Sequence, residues 1–179
     1  MKAVLLDLDG TLYEYVRCNN AGLDAVFDNL SLQFNKPKEE IRQIFEESRS
    51  KVKLWAKHTA PSHSRFLYFQ KTIEKINRST NITLTREIHD LFWDTYLKEM
   101  KLFDGPMEFL KNLKSSCIKI AIVSNFTAEL QFRKIHALGI DQYIDFVITS
   151  EEAGKEKPSG EVFSLALEKL GMSKDDVIL

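Results

Sequence analysis

Cysteine is scarce in this 179-residue chain: Cys18 and Cys117 are the only two, far apart and without metal-pair spacing. That argues against a disulfide framework and leaves two free thiols, the usual state in a reducing cytoplasm. Neither sign of charge predominates, since 25 basic residues face 26 acidic ones for a net charge of −1. Without a basic excess there is no electrostatic footprint for nucleic acid, and no nucleic-acid partner is expected. Long apolar runs are missing too. After Met1-Lys2 only four apolar residues precede Asp7, too few for a signal peptide, and no stretch reaches membrane-spanning length. A cytoplasmic protein with no membrane partner is the expectation. Internal repeats and low-complexity tracts are absent.

What is present is an ordinary globular composition, 44% hydrophobic, long enough for one core and a small accessory module. Three zones follow one another. An apolar run, Ala3-Val4-Leu5-Leu6, reads as a short buried strand and leads into Asp7-Leu8-Asp9-Gly10-Thr11-Leu12. From about Tyr13 to Leu102 the pattern is helical throughout. Leu23, Val26, Phe27 and Leu30 mark one face of a helix over Asn20 to Phe34. Pro37 opens a second helix towards Trp55, with Glu39-Glu40 at its start and Arg49, Lys51 and Lys53 later, matching the helix dipole. Pro61 interrupts the pattern, and Arg65 to Lys75 and Arg86 to Lys101 give two more amphipathic segments. Phe66, Tyr68, Phe69, Phe92, Trp93 and Tyr96 recur at helical spacing there, which predicts a helix-packing core.

Beyond Phe103-Asp104-Gly105-Pro106 helix and strand alternate. Met107 to Leu113, Ala128 to Leu138 and Glu161 to Leu170 read as helices, Ile118 to Val123 and Phe146 to Thr149 as strands. Ser173-Lys174-Asp175-Asp176 is a turn, after which Val177 opens another strand. Strands separated by helices of this length pair in parallel through right-handed crossovers. The fold class is therefore α/β, a Rossmann-like αβα core with a parallel sheet. The core comprises residues 1–13 and 103–179, with residues 14–102 inserted after the first strand as an all-helical domain.

Two carboxylates where a strand ends sit in the crevice where open α/β sheets bind ligands. Asp is depleted in strands and Gly breaks them, so this junction does nothing to improve the sheet. Asp7-Leu8-Asp9-Gly10-Thr11 resembles the nucleophile loop of the haloacid dehalogenase superfamily, Asp-x-Asp-x-Thr after the first strand. Its members with a helical cap also share this layout, in which the inserted domain closes over the active site. The resemblance implies an enzyme of the phosphatase branch: Asp7 is the nucleophile and Asp9 the general acid, then the base, of a reaction through an aspartyl-phosphate. The true dehalogenases lack an Asp at the second position. Ile120-Ala121-Ile122-Val123-Ser124-Asn125 matches the second motif, in which a hydroxyl at the strand tip binds phosphate. Ser124 would contact a phosphoryl oxygen, aided by backbone N–H groups of the next helix, with Asn125 and Thr11 as secondary contacts. Lys157-Pro158 matches the third motif, and Lys157 rather than Lys155 would neutralise charge on Asp7 and on the phosphoryl group. The implied cofactor is Mg²⁺, held by the Asp7 carboxylate and the Asp9 backbone carbonyl; the implied partner is a small phosphorylated metabolite such as a nucleotide or sugar phosphate. His58, His63, His89 and His136 lack zinc-site spacing and read as surface or cap histidines.

The fourth motif of the superfamily, commonly Gly-Asp followed by another Asp, is not in these 179 residues, which stop at Leu179 where it should begin. As written, the chain is expected to bind Mg²⁺ poorly and to turn over slowly or not at all. Two alternatives to a phosphatase stay open: a phosphomutase of the same superfamily, or a non-catalytic domain of the same fold.

Overall fold

The computed structural model describes residues 1–57 and 59–179, so the expectation for His58 lies outside the described residues. The chain folds as two compact units, one of Met1–Tyr15 with Met100–Leu179 and the other of Val16–Glu99.

In the first unit four parallel strands form one sheet: β1 (Ala3–Leu6), β2 (Lys119–Ser124), β3 (Phe146–Thr149) and β4 (Val177–Ile178), in the order β3-β2-β1-β4. The apolar run at the N-terminus is thus a central strand. Ala3, Val4 and Leu5 are buried because β1 has a neighbour on each side. One face of the sheet joins Leu5, Ala121, Val123 and Ile148 to Val162 and Ala166 of helix α8 (Gly160–Leu170) in a single apolar cluster. Each of its buried Leu, Val and Ile side chains contributes about 1.5–3 kcal/mol. Helix α5 (Pro106–Ser115) packs on β2 and α6 (Ala128–Ala137) on β3. The expected strands and helices of this unit are all present. The short helix α7 (Ser150–Ala153) and the 3₁₀ turn Asp141–Tyr143 have no counterpart in the periodicity reading, being too short to show a period.

The second unit is helical, built on α1 (Tyr15–Phe34), α2 (Lys38–Trp55), α3 (Arg65–Asn77) and α4 (Ile82–Glu99). Helix α1 starts five residues before Asn20 and α4 four before Arg86; Val16 and Ile82 in these first turns are exposed and so fall outside the buried stripe. Pro37 occupies the N-cap of α2 rather than its first turn, and Pro61 lies in a 3₁₀ turn, Ala60–His63. The aromatic core is as expected: Tyr68, Phe69, Phe92, Trp93 and Tyr96 are all buried, whereas Phe66 is partly exposed. Rings follow in sequence from Phe27 to Phe45 (centroids 5.3 Å), Phe45 to Phe69 (5.7 Å) and Phe69 to Phe92 (5.6 Å). At Gly22, α1 comes so close to α4 that a Cβ atom there would lie 2.8 Å from the Phe92 ring and 2.9 Å from its carbonyl oxygen. His89 accepts a 3.0 Å hydrogen bond from the Trp93 indole, and no helix among the described residues is long and apolar enough to cross a membrane.

Candidate active site

Parallel pairing in register, Leu6 opposite Ile122, brings the C-terminal ends of β1 and β2 side by side. The acidic loop after β1 and the Ser124-Asn125 pair after β2 therefore meet. Gly10 makes the turn possible at φ +81°, a left-handed conformation that side chains resist, while the amides of Thr11 and Leu12 close onto the Leu8 carbonyl at 3.3 and 3.1 Å.

Asp7 is the open member of the site, with 43% of its side chain exposed. Its Oδ1 receives the Lys157 ammonium at 2.8 Å and the Leu8 amide at 2.8 Å. Lys157 is in turn held at three points. Its ammonium donates to the Val123 carbonyl (2.8 Å), its amide donates to Asn125 Oδ1 (2.6 Å), and its carbonyl accepts from Asn125 Nδ2 (3.0 Å). Lys155 instead pairs with Glu161, away from Asp7. The structure thus brings Asp7, Lys157 and Asn125 together, with both polar ends of the Asn125 amide spent on the Lys157 backbone. Thr11 lies exposed in the turn and is tied in by its backbone.

Asp9 faces inward. Lys134 Nζ lies 2.7 Å from its Oδ1, the Tyr13 hydroxyl donates to the same oxygen, and Gln131 Nε2 donates to Oδ2 at 2.9 Å. Gln131 also donates to Ser124 Oγ, which stands 3.5 Å from Asp9 Oδ2, at the outer limit of a hydrogen bond. Ser124 is buried to 1% exposure in this network. Burial by itself would push the Asp9 carboxyl up, but the Lys134 charge and hydrogen bonds from Lys134, Tyr13 and Gln131 outweigh it and hold Asp9 below the usual range. The sequence reading assigns no site role to Tyr13, Gln131 or Lys134. Their only local signal is a Lys and a Gln on the buried face of α6, where apolar residues are the norm. The expected anion site at the start of α6 is also modified: the Glu151 carboxylate accepts from the Ala128 amide at 2.8 Å, so that donor is already used.

Mg²⁺ needs hard oxygens, and it is commonly held by one or two carboxylates plus substrate phosphate and water. No group of three or more His, Cys, Asp or Glu side chains that could hold a metal occurs among the described residues. The donors present, an exposed Asp7 carboxylate and backbone oxygens of the loop, fit that sparse type of coordination and not a zinc site.

The chain has relatives in sequence and in fold. A model of haloacid dehalogenase-like hydrolases matches residues 4–179. A protein of Halopiger xanaduensis named ribulose-1,5-bisphosphate 5-phosphatase is 36% identical over 178 residues, covering 99% of this chain and 74% of its own. Among solved structures, a HAD phosphatase from Thermococcus onnurineus superposes with a TM-score of 0.74 at 23% identity, over 99% of this chain and 76% of its own. The HAD-hydrolase YfnB from Bacillus subtilis, bound to magnesium, superposes with a TM-score of 0.70 at 16% identity, over 99% of this chain and 78% of its own. The chain belongs to the haloacid dehalogenase-like hydrolase family.

Proposed function

We propose that this protein is a Mg²⁺-dependent phosphatase that releases phosphate from a small phosphorylated metabolite, a sugar phosphate or nucleotide, in the cytoplasm. One observation carries the reading: an accessible carboxylate, Asp7, stands at a strand tip 2.8 Å from a lysine ammonium, with a second carboxylate two residues on. The 5-phosphatase name of the 36% identical relative supports a sugar phosphate in particular.

In the first step Asp7 attacks phosphorus, the bond to the leaving oxygen breaks, and Asp9 delivers a proton to that oxygen. In the second, Asp9 takes a proton from water as it hydrolyses the aspartyl-phosphate, returning Asp7 and free phosphate. Positioned proton transfer of this kind is worth on the order of 10²–10⁴ in rate. Its neighbours hold Asp9 as a carboxylate, the form the second step uses. A phosphate dianion arriving beside it opposes Lys134 and raises its proton affinity for the first. Lys157 keeps Asp7 oriented and offsets charge on the phosphoryl oxygens. Ser124 takes a phosphoryl oxygen, and Asn125 serves by fixing Lys157. The Asp7 carboxylate and the Asp9 carbonyl would hold Mg²⁺, which supplies charge neutralisation between nucleophile and phosphate. The helical unit Val16–Glu99 acts as the cap that selects the leaving group.

The test is release of inorganic phosphate, followed over hours with and without Mg²⁺, from ribulose 1,5-bisphosphate, other sugar phosphates and nucleoside monophosphates. Slow metal-dependent release by the parent chain and none by a folded Asp7→Asn variant is the expected result. Release that survives Asp7→Asn refutes the mechanism, and isomerisation of a sugar phosphate outpacing release makes the protein a mutase.

A further inference from the structure

Helix α6 offers the acidic loop two polar side chains one turn apart, Gln131 and Lys134, and both are buried. Lys134 has 1% of its side chain exposed, with its ammonium 2.7 Å from Asp9 Oδ1 and 4.5 Å from the centre of the Phe126 ring. Gln131 bridges Asp9 Oδ2, at 2.9 Å, and the Ser124 hydroxyl. Asp9 is thus gripped at both oxygens, and a carboxylate held at both cannot turn about its terminal torsion. Its spacing to Ser124 is set by the same amide.

Stability alone is a poor reason for this arrangement. Taking an ammonium and a carboxylate out of water costs about as much as their attraction returns, and an apolar pair of similar size packs as well. Gln131 adds a further cost, since its Oε1 is buried with no hydrogen-bond partner among the described residues. Misplacing a reacting group by about 1 Å can cost on the order of 10² in rate, so a rigid grip on Asp9 has catalytic value.

We infer that Lys134 and Gln131 are positioning residues of the reaction: they hold Asp9 in line with the leaving group and keep Ser124 at a fixed distance from it. This inference rests on the phosphatase reading above. Neither residue takes part in bond making or breaking at phosphorus or moves the proton itself; both act through Asp9 and Ser124.

The discriminating probe is the leaving group. An alkyl phosphate needs its leaving oxygen protonated, whereas 4-nitrophenyl phosphate releases a stable phenolate without help. Lys134→Met should lower kcat for a sugar phosphate on the order of 10²-fold, leave KM nearly unchanged, and largely spare the initial burst of 4-nitrophenolate. In an Asp9→Asn background the same substitution should cost nothing more, because a residue acting through Asp9 has nothing left to act on. Equal losses with both substrates, or full additivity with Asp9→Asn, overturn the inference while Asp7→Asn remains inactive and the phosphatase reading stands. Activity retained by Asp7→Asn would instead remove that reading. Should Lys134→Met fail to fold, Gln131→Met is the second variant. It buries no unpaired charge and removes the unpaired Oε1, so the fold should hold while sugar-phosphate turnover falls roughly 10-fold, at the lower end for a mispositioned group. Unchanged sugar-phosphate turnover in a folded Gln131→Met protein overturns the inference as well.

Discussion

The Asn125 side chain pairs with the Lys157 backbone as another strand would, accepting from its amide at 2.6 Å and donating to its carbonyl at 3.0 Å. The residue after β2 thereby fixes the loop before α8, and the lysine that faces Asp7 is carried on that loop. Asn125→Asp keeps the acceptor but sets a carboxylate oxygen against the Lys157 carbonyl. Phosphate release should fall on the order of 10²-fold, with a crystal structure showing the loop displaced from Asp7. Full activity in that variant would reduce the clamp to an incidental contact.

In the proposed mechanism Lys157 acts by charge, its ammonium lying 2.8 Å from Asp7. Lys157→Met should lower kcat on the order of 10²–10³-fold, the range for losing one electrostatic donor in a site. Lys155→Met, which removes only the surface pair with Glu161, should leave kcat close to the parent value. Comparable losses in the two variants would contradict the assignment of Lys157.

Gly22 is a packing residue. Alanine is the better helix former by about 1 kcal/mol, yet its methyl would press on the Phe92 carbonyl, which cannot yield as a flexible side-chain end would. Gly22→Ala should destabilise the helical unit by about 1–3 kcal/mol, read as a lower urea midpoint. A higher midpoint would show that α1 and α4 can separate at no cost.

Asp145 is an acid-sensitive anchor. Burial would raise its carboxyl, but the Lys114 ammonium (2.8 Å), the Ile120 amide (2.9 Å) and the Lys119 ammonium (2.9 Å) bring it to about 2. Its pKa is lower folded than unfolded, so its stabilisation is complete above about pH 4 and disappears as pH falls through about 2. Asp145→Asn should cost about 1–3 kcal/mol at pH 7 and progressively less between pH 4 and 2. Denaturation of parent and variant across that range tests the sign: a gap that widens on acidification would reverse it.

Much of this molecule is legible along the chain because its causes are local. The run Ala3 to Leu6 reads as a buried strand, and the Asp-Leu-Asp-Gly junction after it marks the site without any tertiary information. The 3.6-residue recurrence of Leu23, Val26, Phe27 and Leu30 predicts α1, since burying one face of a helix requires that spacing. Helices of four residues or fewer, such as α7, escape because a single turn shows no recurrence of an apolar face.

The partners of the chemical groups are another matter. Lys134 lies 125 residues from Asp9 and Gln131 lies 122, and no local pattern links them. They meet because β1 and β2 pair in parallel and α6 returns across the sheet, which puts one turn of that helix against the loop after β1. Gly22 is similar: in the sequence it is a weak point in a helix, and only the approach of Phe92 makes it a requirement. The sequence by itself determined which residues could do chemistry and where the strands and helices run, because hydrophobic periodicity and turn residues act over a few positions. The Lys157-Pro158 motif already singles out the lysine that faces Asp7, whereas the groups that hold Asp9 were decided by the tertiary structure, because hydrogen bonds and ion pairs depend on distances in space that only the packed sheet sets.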